Sequence, residues 1–251
     1  VLGSGIMGSG IACHFANIGV EVILLDICPK ELNESEKNKN LSLDSKLVKN
    51  RIVTDMFNKC IKSKPSPIYN KKFIKRVTLG NFEDDISKIS VVDWIIEVVV
   101  EKLDIKKTVF DLVEKHRTTG TLVSSNTSGI PIKLMNEGRS DDFKKNFAIT
   151  HFFNPPRYLN LFEVIPGPDC DESVLNFLMD YGQKFLGKTS VLAKDTPAFI
   201  GNRIGTFGIQ SLFHQVKNGE FSVEEVDKLT GTAIGRPKSA TFRTADVVGL
   251  D

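Results

Sequence analysis

One tryptophan and three tyrosines in 251 residues leave few flat rings to stack on bases, and a formal net charge of only +2 offers no field for a polyanion. Both scarcities weigh against nucleic acid as a partner. No apolar run approaches the roughly 20 residues that a membrane-spanning helix needs. The four cysteines, Cys13, Cys28, Cys60 and Cys170, lie far apart with no CxxC pair. That spacing excludes a disulfide frame or a zinc site, and it suits reduced thiols in a cytoplasm. No metal centre is expected. Repeats and low-complexity tracts are also missing. What remains, 41% hydrophobic and 25% charged, is an ordinary globular composition with length for one large or two modest domains. The chain opens inside its first apolar run and stops at VVGLD without a capping signal, as expected of a piece of a longer polypeptide. A targeting segment would not show in such a piece.

What is present concentrates in residues 1–26, VLGSGIMGSGIACHFANIGVEVILLD. Val1 and Leu2 enter a glycine turn, Gly3-Ser4-Gly5-Ile6-Met7-Gly8, which opens an amphipathic helix. A second apolar run, Val20 to Leu25, then closes on Asp26. Gly3 permits a tight turn off the strand, Gly5 a close approach of backbone N–H groups to a pyrophosphate, and Gly8 close helix–strand contact. The helix N-terminus favours the diphosphate through unpaired N–H groups and its dipole. An isolated glycine-rich turn is common; strand, motif, helix, strand and acid within about 30 residues is far more specific for a dinucleotide. Asp26 is placed to accept ribose hydroxyls and to repel a 2′-phosphate, which selects NAD over NADP. Ile27, Cys28 and Pro29 supply no arginine for such a phosphate.

Further along, Val48, Ile52, Met56 and Cys60 interlock with Val53, Phe57 and Ile61 at i,i+4 spacing, which predicts a helical face over 43–62 that Pro65 and Pro67 end. From Asp44 to Arg76 there are ten Lys/Arg against two Asp; read alone, this is a solvated helix pair. Val91 to Val100, VVDWIIEVVV, predicts a strand buried on both faces of a parallel sheet. A helix over 105–115 follows, then strands at 121–125, 147–153, 162–165 and 190–193, with a polar turn at Asn126–Gly129. Beyond Pro197 the strand signal fades: 200–216 reads as a helix, and Ser222-x-x-Glu225 as a capping box starting another. The expected fold is therefore α/β: a Rossmann-like doubly wound sheet over 1–195, with a helical excursion at about 43–76, followed over 196–251 by the beginning of an all-α domain.

A dinucleotide oxidoreductase leaves the redox step to its cofactor, so the protein must supply a base at the carbinol. Of four histidines, His14 lies in the first helix, His116 at a helix end among Lys115 and Arg117, and His214 mid-helix. His151 ends a strand and opens HFFNPP, so it points from the carboxyl edge of the sheet, where ligands bind in this architecture. Glu163 is the nearby acid able to orient it and fix its tautomer. The residues alone leave two readings of His151 open, a proton acceptor or a packed strand-end histidine.

Several motifs, in order along nearly the whole chain, narrow the choice. GSGIMGSGIA, EKLDIK at 101–106, SNTS at 125–128, HFFNPPRYLNLFEVIPG, KDTPAFIGNR at 194–203 and the closing GRPKSATFRTADVVGLD together resemble the L-3-hydroxyacyl-CoA dehydrogenase family. The closing stretch, with KPSP and NFEDD upstream, looks most like bacterial members joined to an enoyl-CoA hydratase or isomerase portion. The resemblance implies NAD-dependent oxidation of (S)-3-hydroxyacyl-CoA to 3-oxoacyl-CoA in fatty-acid β-oxidation. It makes His151 the general base and Glu163 its orienting partner, with Ser128 and Asn202 bonding substrate and histidine. It places Asn154, Glu101, Lys106 and Ser128 at the cofactor, beside Gly3, Ser4, Gly5, Ile6, Met7, Gly8 and Asp26 of the turn. It also implies that the basic excursion meets the CoA portion, with Lys59, Lys62 and Lys64 near its phosphates, though no CoA residue is assigned. A homodimer through the completed helical domain and a cytoplasmic location are further implications. The rival expectations are a dehydrogenase of a small 3-hydroxy acid without CoA, and a non-catalytic NAD-binding protein on the same scaffold.

Overall fold

A computed structural model describes residues 1–217 and 219–248. The chain divides after Pro197 into two compact units. The first is an α/β layer structure around seven strands: β1 (Val22–Asp26), β2 (Val77–Asn81), β3 (Trp94–Glu97), β4 (Leu122–Ser125), β5 (Phe147–Phe152), β6 (Leu161–Pro166) and β7 (Thr189–Leu192). β1 pairs with β2, and the other five run in the order β3–β4–β5–β6–β7. Leu2 joins the two groups through parallel bridges to Leu25 and Glu97. Every pairing is parallel except β5–β6, which is antiparallel.

Helix α1 (Ile6–Asn17) follows the glycine turn and buries Ile11, Ala12, Cys13, Phe15 and Ala16 in the core beside Leu24 and Ile96. Its small residues let it lie close to the sheet, as a doubly wound layer requires. Carboxyl ends of β1, β3 and β4, together with the chain leaving Leu2, therefore open on one edge. That edge carries Gly3, Asp26, Glu97 and Ser125.

Several expectations need correction. The first apolar run contributes only the bridging residue Leu2 to the sheet. The strand expected over 91–100 is confined to Trp94–Glu97: Val91 ends a 3-10 turn and is 82% exposed, and Val100 lies outside in an exposed loop. β-Branching marks residues that pack well on a pleated surface and does not oblige pairing. The helix expected over 43–62 is two helices, Lys46–Lys49 and Arg51–Ile61, parted at Asn50, with Val48, Val53 and Phe57 as the buried residues. β2 was not anticipated, because VTLGN has neither a sustained apolar run nor clean alternation. Nor was the reversal of β6, which makes a hairpin inside an otherwise parallel sheet.

The second unit, from Ala198 on, is helical: Gly201–Lys217, Val223–Thr230 and Phe242–Val248. Ser222 and Glu225 form the reciprocal capping box. The Asp227 carboxylate accepts the N–H groups of Thr241 and Phe242 at 3.0 and 2.7 Å, tying the last two helices together. The terminal residues Gly249, Leu250 and Asp251, the end of the closing motif, lie outside the described residues. Among the described residues no helix is long and apolar enough to cross a membrane.

Candidate functional site

The glycine turn has three different steric demands. Gly3 sits at φ +103°, and a Cβ there would come within 2.6 Å of the Val98 carbonyl oxygen. A Cβ on Gly8 would lie 1.9 Å from the Gly3 oxygen, so the first helical turn can pack on the strand exit only without a side chain. At Gly5 a Cβ would meet nothing within 4 Å; the space above this residue is open to a ligand. Gly5 is also the N-cap of α1, with no side-chain cap and no acid in the first turn, so the orphan N–H groups remain for an anion. A backbone cradle that side chains would fill, beside an open helix end, fits a dinucleotide diphosphate.

Asp26 ends β1, half-exposed, and does more than the sequence suggested. Its Oδ2 accepts both the backbone N–H and the hydroxyl of Ser4, at 2.6 and 2.5 Å, and Oδ1 accepts the Ile27 N–H at 2.7 Å. The acid expected at the ribose thus also clamps the glycine turn. Ile6 is exposed, and Met7 half-buried, along the same turn.

On the far side of the turn lies a buried ionic cluster. Glu97, fully buried at the end of β3, accepts the Val99 N–H at 2.7 Å, the Ser125 hydroxyl at 2.5 Å and the Lys106 ammonium at 2.8 and 3.0 Å. Lys106 reaches Glu101 as well, at 3.2 Å. Lys106 therefore departs from its expected place: it is 1% exposed, behind Glu101 and not at an open face, because the buried Glu97 needs a counter-ion. Glu101 is the exposed member. It accepts the Thr127 hydroxyl and, at 2.9 Å, the Ser128 N–H. Burial would raise its carboxyl, but the Thr127 hydroxyl, the Lys106 charge and the Ser128 N–H together hold it below the usual carboxylate range.

That cluster fixes the Ser125–Ser128 loop, whose last hydroxyl stands 3.4 Å from Nε2 of His151, a loose contact. His151 and Glu163 are directly opposed residues of the β5–β6 hairpin. Nδ1 of the histidine lies 2.6 Å from Oε2 of the glutamate, with both side chains buried. A carboxylate at that distance keeps the proton on Nδ1 and leaves the lone pair on Nε2, the atom that faces Ser128. The ring of Phe153 packs 4.5 Å away, centroid to centroid. Asn154, just beyond it, is exposed. Asn202 belongs to the second unit, in the first turn of the Gly201–Lys217 helix, where its carbonyl accepts the Thr206 hydroxyl at 2.9 Å. His14, by contrast, is a packed histidine, its Nε2 3.0 Å from the Leu186 carbonyl.

The structure thus gathers Gly3–Gly8 and Asp26, Glu101 and Ser128, and His151 with Glu163 within the first unit. Glu97 and Thr127 were missed. An acid inside the apolar run WIIEVVV was the available signal, since a charge in a buried strand must find a partner, and Lys106 is one of the cations on the next helix.

Comparison with known proteins agrees with this geometry. The profile of the 3-hydroxyacyl-CoA dehydrogenase NAD binding domain matches residues 1–196, and that of the C-terminal domain of the same enzymes matches 199–251. A Bacillus subtilis protein named probable 3-hydroxyacyl-CoA dehydrogenase is 55% identical over the whole chain, which spans 32% of that relative's length. A Deinococcus radiodurans protein of the same name is 41% identical, with 68% of its length covered. Among solved structures, FadB2 of Mycobacterium tuberculosis superposes with a TM-score of 0.76 at 25% identity, over all of this chain and 81% of that one. With the two profiles together matching nearly the whole chain on a scaffold built to cradle a dinucleotide, the chain belongs to the 3-hydroxyacyl-CoA dehydrogenase family of NAD-binding oxidoreductases.

Proposed function

We propose that the chain is the dehydrogenase unit of an enzyme that oxidises (S)-3-hydroxyacyl-CoA to 3-oxoacyl-CoA, a step of fatty-acid β-oxidation. The observation that carries the proposal is the buried 2.6 Å pairing of His151 Nδ1 with Glu163 beside the glycine turn's edge of the sheet. Bound NAD would be held by the Gly3–Gly8 turn, Asp26, Glu101 with Lys106 behind it, Ser128 and Asn154, and would supply the hydride acceptor. The protein's own task is the proton. As the carbinol C–H hydride departs and the C=O bond forms, the hydroxyl proton passes to Nε2 of His151. The resulting imidazolium is stabilised by the Glu163 carboxylate, which keeps the ring in one orientation throughout. Ser128 donates to the substrate oxygen. The exposed lysines Lys59, Lys62 and Lys64 meet the phosphates of the CoA portion as point charges. Dimerisation through the helical unit and fusion to an enoyl-CoA hydratase or isomerase portion complete the proposal. The chain's 32% share of its Bacillus subtilis relative is consistent with a larger polypeptide.

Replacing His151 with Ala is expected to lower kcat for acetoacetyl-CoA reduction by at least about a hundred- to ten-thousand-fold, with NADH affinity nearly unchanged. Parallel losses in both would reject the base assignment. Turnover of acetoacetyl-CoA must also exceed that of free acetoacetate; equal rates would favour a small hydroxy-acid dehydrogenase instead.

A further inference from the structure

We infer that Lys188 is a positioning residue, whose buried ammonium fixes the 153–160 segment, and with it Asn154, against the helix that carries the glycine turn. The functional consequence rests on the cofactor-site reading above. Lys188 immediately precedes β7 and is 6% exposed. Its Nζ donates to the Pro156 carbonyl and, at 2.6 Å, to the Leu159 carbonyl. Among the described residues it has no ion pair with any acid. The titratable groups that feel its charge are the other way inclined: His14 of α1 is kept neutral by burial, with the Lys188 and Arg157 charges adding to the effect.

A buried ammonium with no carboxylate is costly unless other acceptors offset the lost water. Here the acceptors are two carbonyls of one segment, the link between the strand of His151 and the strand of Glu163. Lys188 is itself firmly anchored, its N–H bonded to the Gly182 carbonyl at 2.9 Å and the following Thr189 N–H to the Asn160 carbonyl at 2.8 Å. Opposite it, the Pro156 ring packs on α1, where a Cβ added at Gly10 would come within 3.1 Å of the ring carbons. At the outer end, Arg157 donates to the Ser66 carbonyl at 2.5 Å and stacks 3.7 Å over Tyr69. The segment is thus clamped between α1 and the lysine. Without the ammonium, the buried Pro156 carbonyl and the part-buried Leu159 carbonyl lose their donor, and the segment must turn them to water, carrying Asn154 with it. His151 and Glu163 stay in place, because the β5–β6 ladder holds them.

The test compares the full chain with Lys188→Met and Lys188→Arg by NADH fluorescence titration and amide hydrogen exchange. In Lys188→Met, the Tyr158 and Leu159 amides, both bonded to the Pro155 carbonyl, should exchange at least about tenfold faster, with β5 and β6 unchanged. NADH should bind about tenfold more weakly, kcat at saturating NADH should fall far less, and Lys188→Arg should restore most of both losses. A folded Lys188→Met with unaltered loop exchange and NADH affinity would overturn the assignment. So would exchange that quickens equally across β5 and β6, which marks a general loss of stability. If the unsubstituted chain binds no NADH, the cofactor-site reading fails, and the exchange arm decides the role of Lys188 alone.

Discussion

At the scale of single residues, two glycines of one turn make opposite predictions. A side chain at Gly8 has no room, with the Gly3 oxygen 1.9 Å from the added carbon. Gly8→Ala should therefore lower unfolding stability by about 1–3 kcal/mol in a denaturant titration, the usual cost of overpacking, as well as weaken NADH binding. Gly5→Ala should melt close to the unsubstituted chain, because nothing lies within 4 Å, yet it should still lose NADH affinity by filling the space a diphosphate needs. Comparable melting temperatures for the two variants would contradict the distinction. These roles were legible in the sequence because glycine spacing speaks directly about backbone conformation and clearance. Glu97 and Lys188 were not, because a charged residue's letter says nothing about its burial. Only the strand that encloses Glu97, or the carbonyls turned toward Lys188, reveal why a charge is there.

At the scale of elements, the ionic cluster joins β3, the Leu103–His116 helix and the loop after β4. Lys106→Met should leave the Glu97 carboxylate buried without its counter-ion and destabilise the fold by roughly 3–5 kcal/mol, measured by urea unfolding. Adding Glu97→Gln to the same chain should recover part of that loss, whereas additive losses would deny the coupling. Element reading from the sequence succeeded where one pattern dominated: β4, β5, the first helix and the Ser222 capping box. It failed where tertiary pairing decided. VVDWIIEVVV contributes only four residues to the sheet, its outermost valines Val91 and Val100 lying exposed beyond the ladder. VTLGN becomes β2 because β1 offers it a ladder, a relation absent from its local composition. Strand direction is likewise invisible in a residue pattern, so the reversal at β6 had no signature.

For the whole molecule, His14 predicts an acid-sensitive fold. Burial first, and the Lys188 charge second, push its imidazole down to about 4 from 6.5. Between those values the unfolded chain takes up a proton that the folded chain refuses, so stability falls as pH drops through that window. The full effect is roughly 3 kcal/mol, at about 1.4 kcal/mol for each pH unit between the two values. Urea unfolding at pH 7 and pH 4.5 should show a markedly smaller difference for His14→Gln; an unchanged difference would overturn the assignment to His14, because carboxylates such as Glu101 and Glu114, held below the usual 4.5, lose their stabilisation chiefly below this window.

The opposed placement of residues 151 and 163 has one last consequence. Side chains alternate between the two faces of a pleated sheet, so displacing either strand by a single residue would send imidazole and carboxylate to opposite sides of the layer. Variation by one insertion or deletion inside either strand extinguishes the pair at once, whereas the connecting segment can change length without altering which faces they occupy. Descendants of this fold can therefore change the length of the hairpin's tip without losing the imidazole–carboxylate pair, though not without disturbing Asn154, and the pair itself is inherited only with its parity intact.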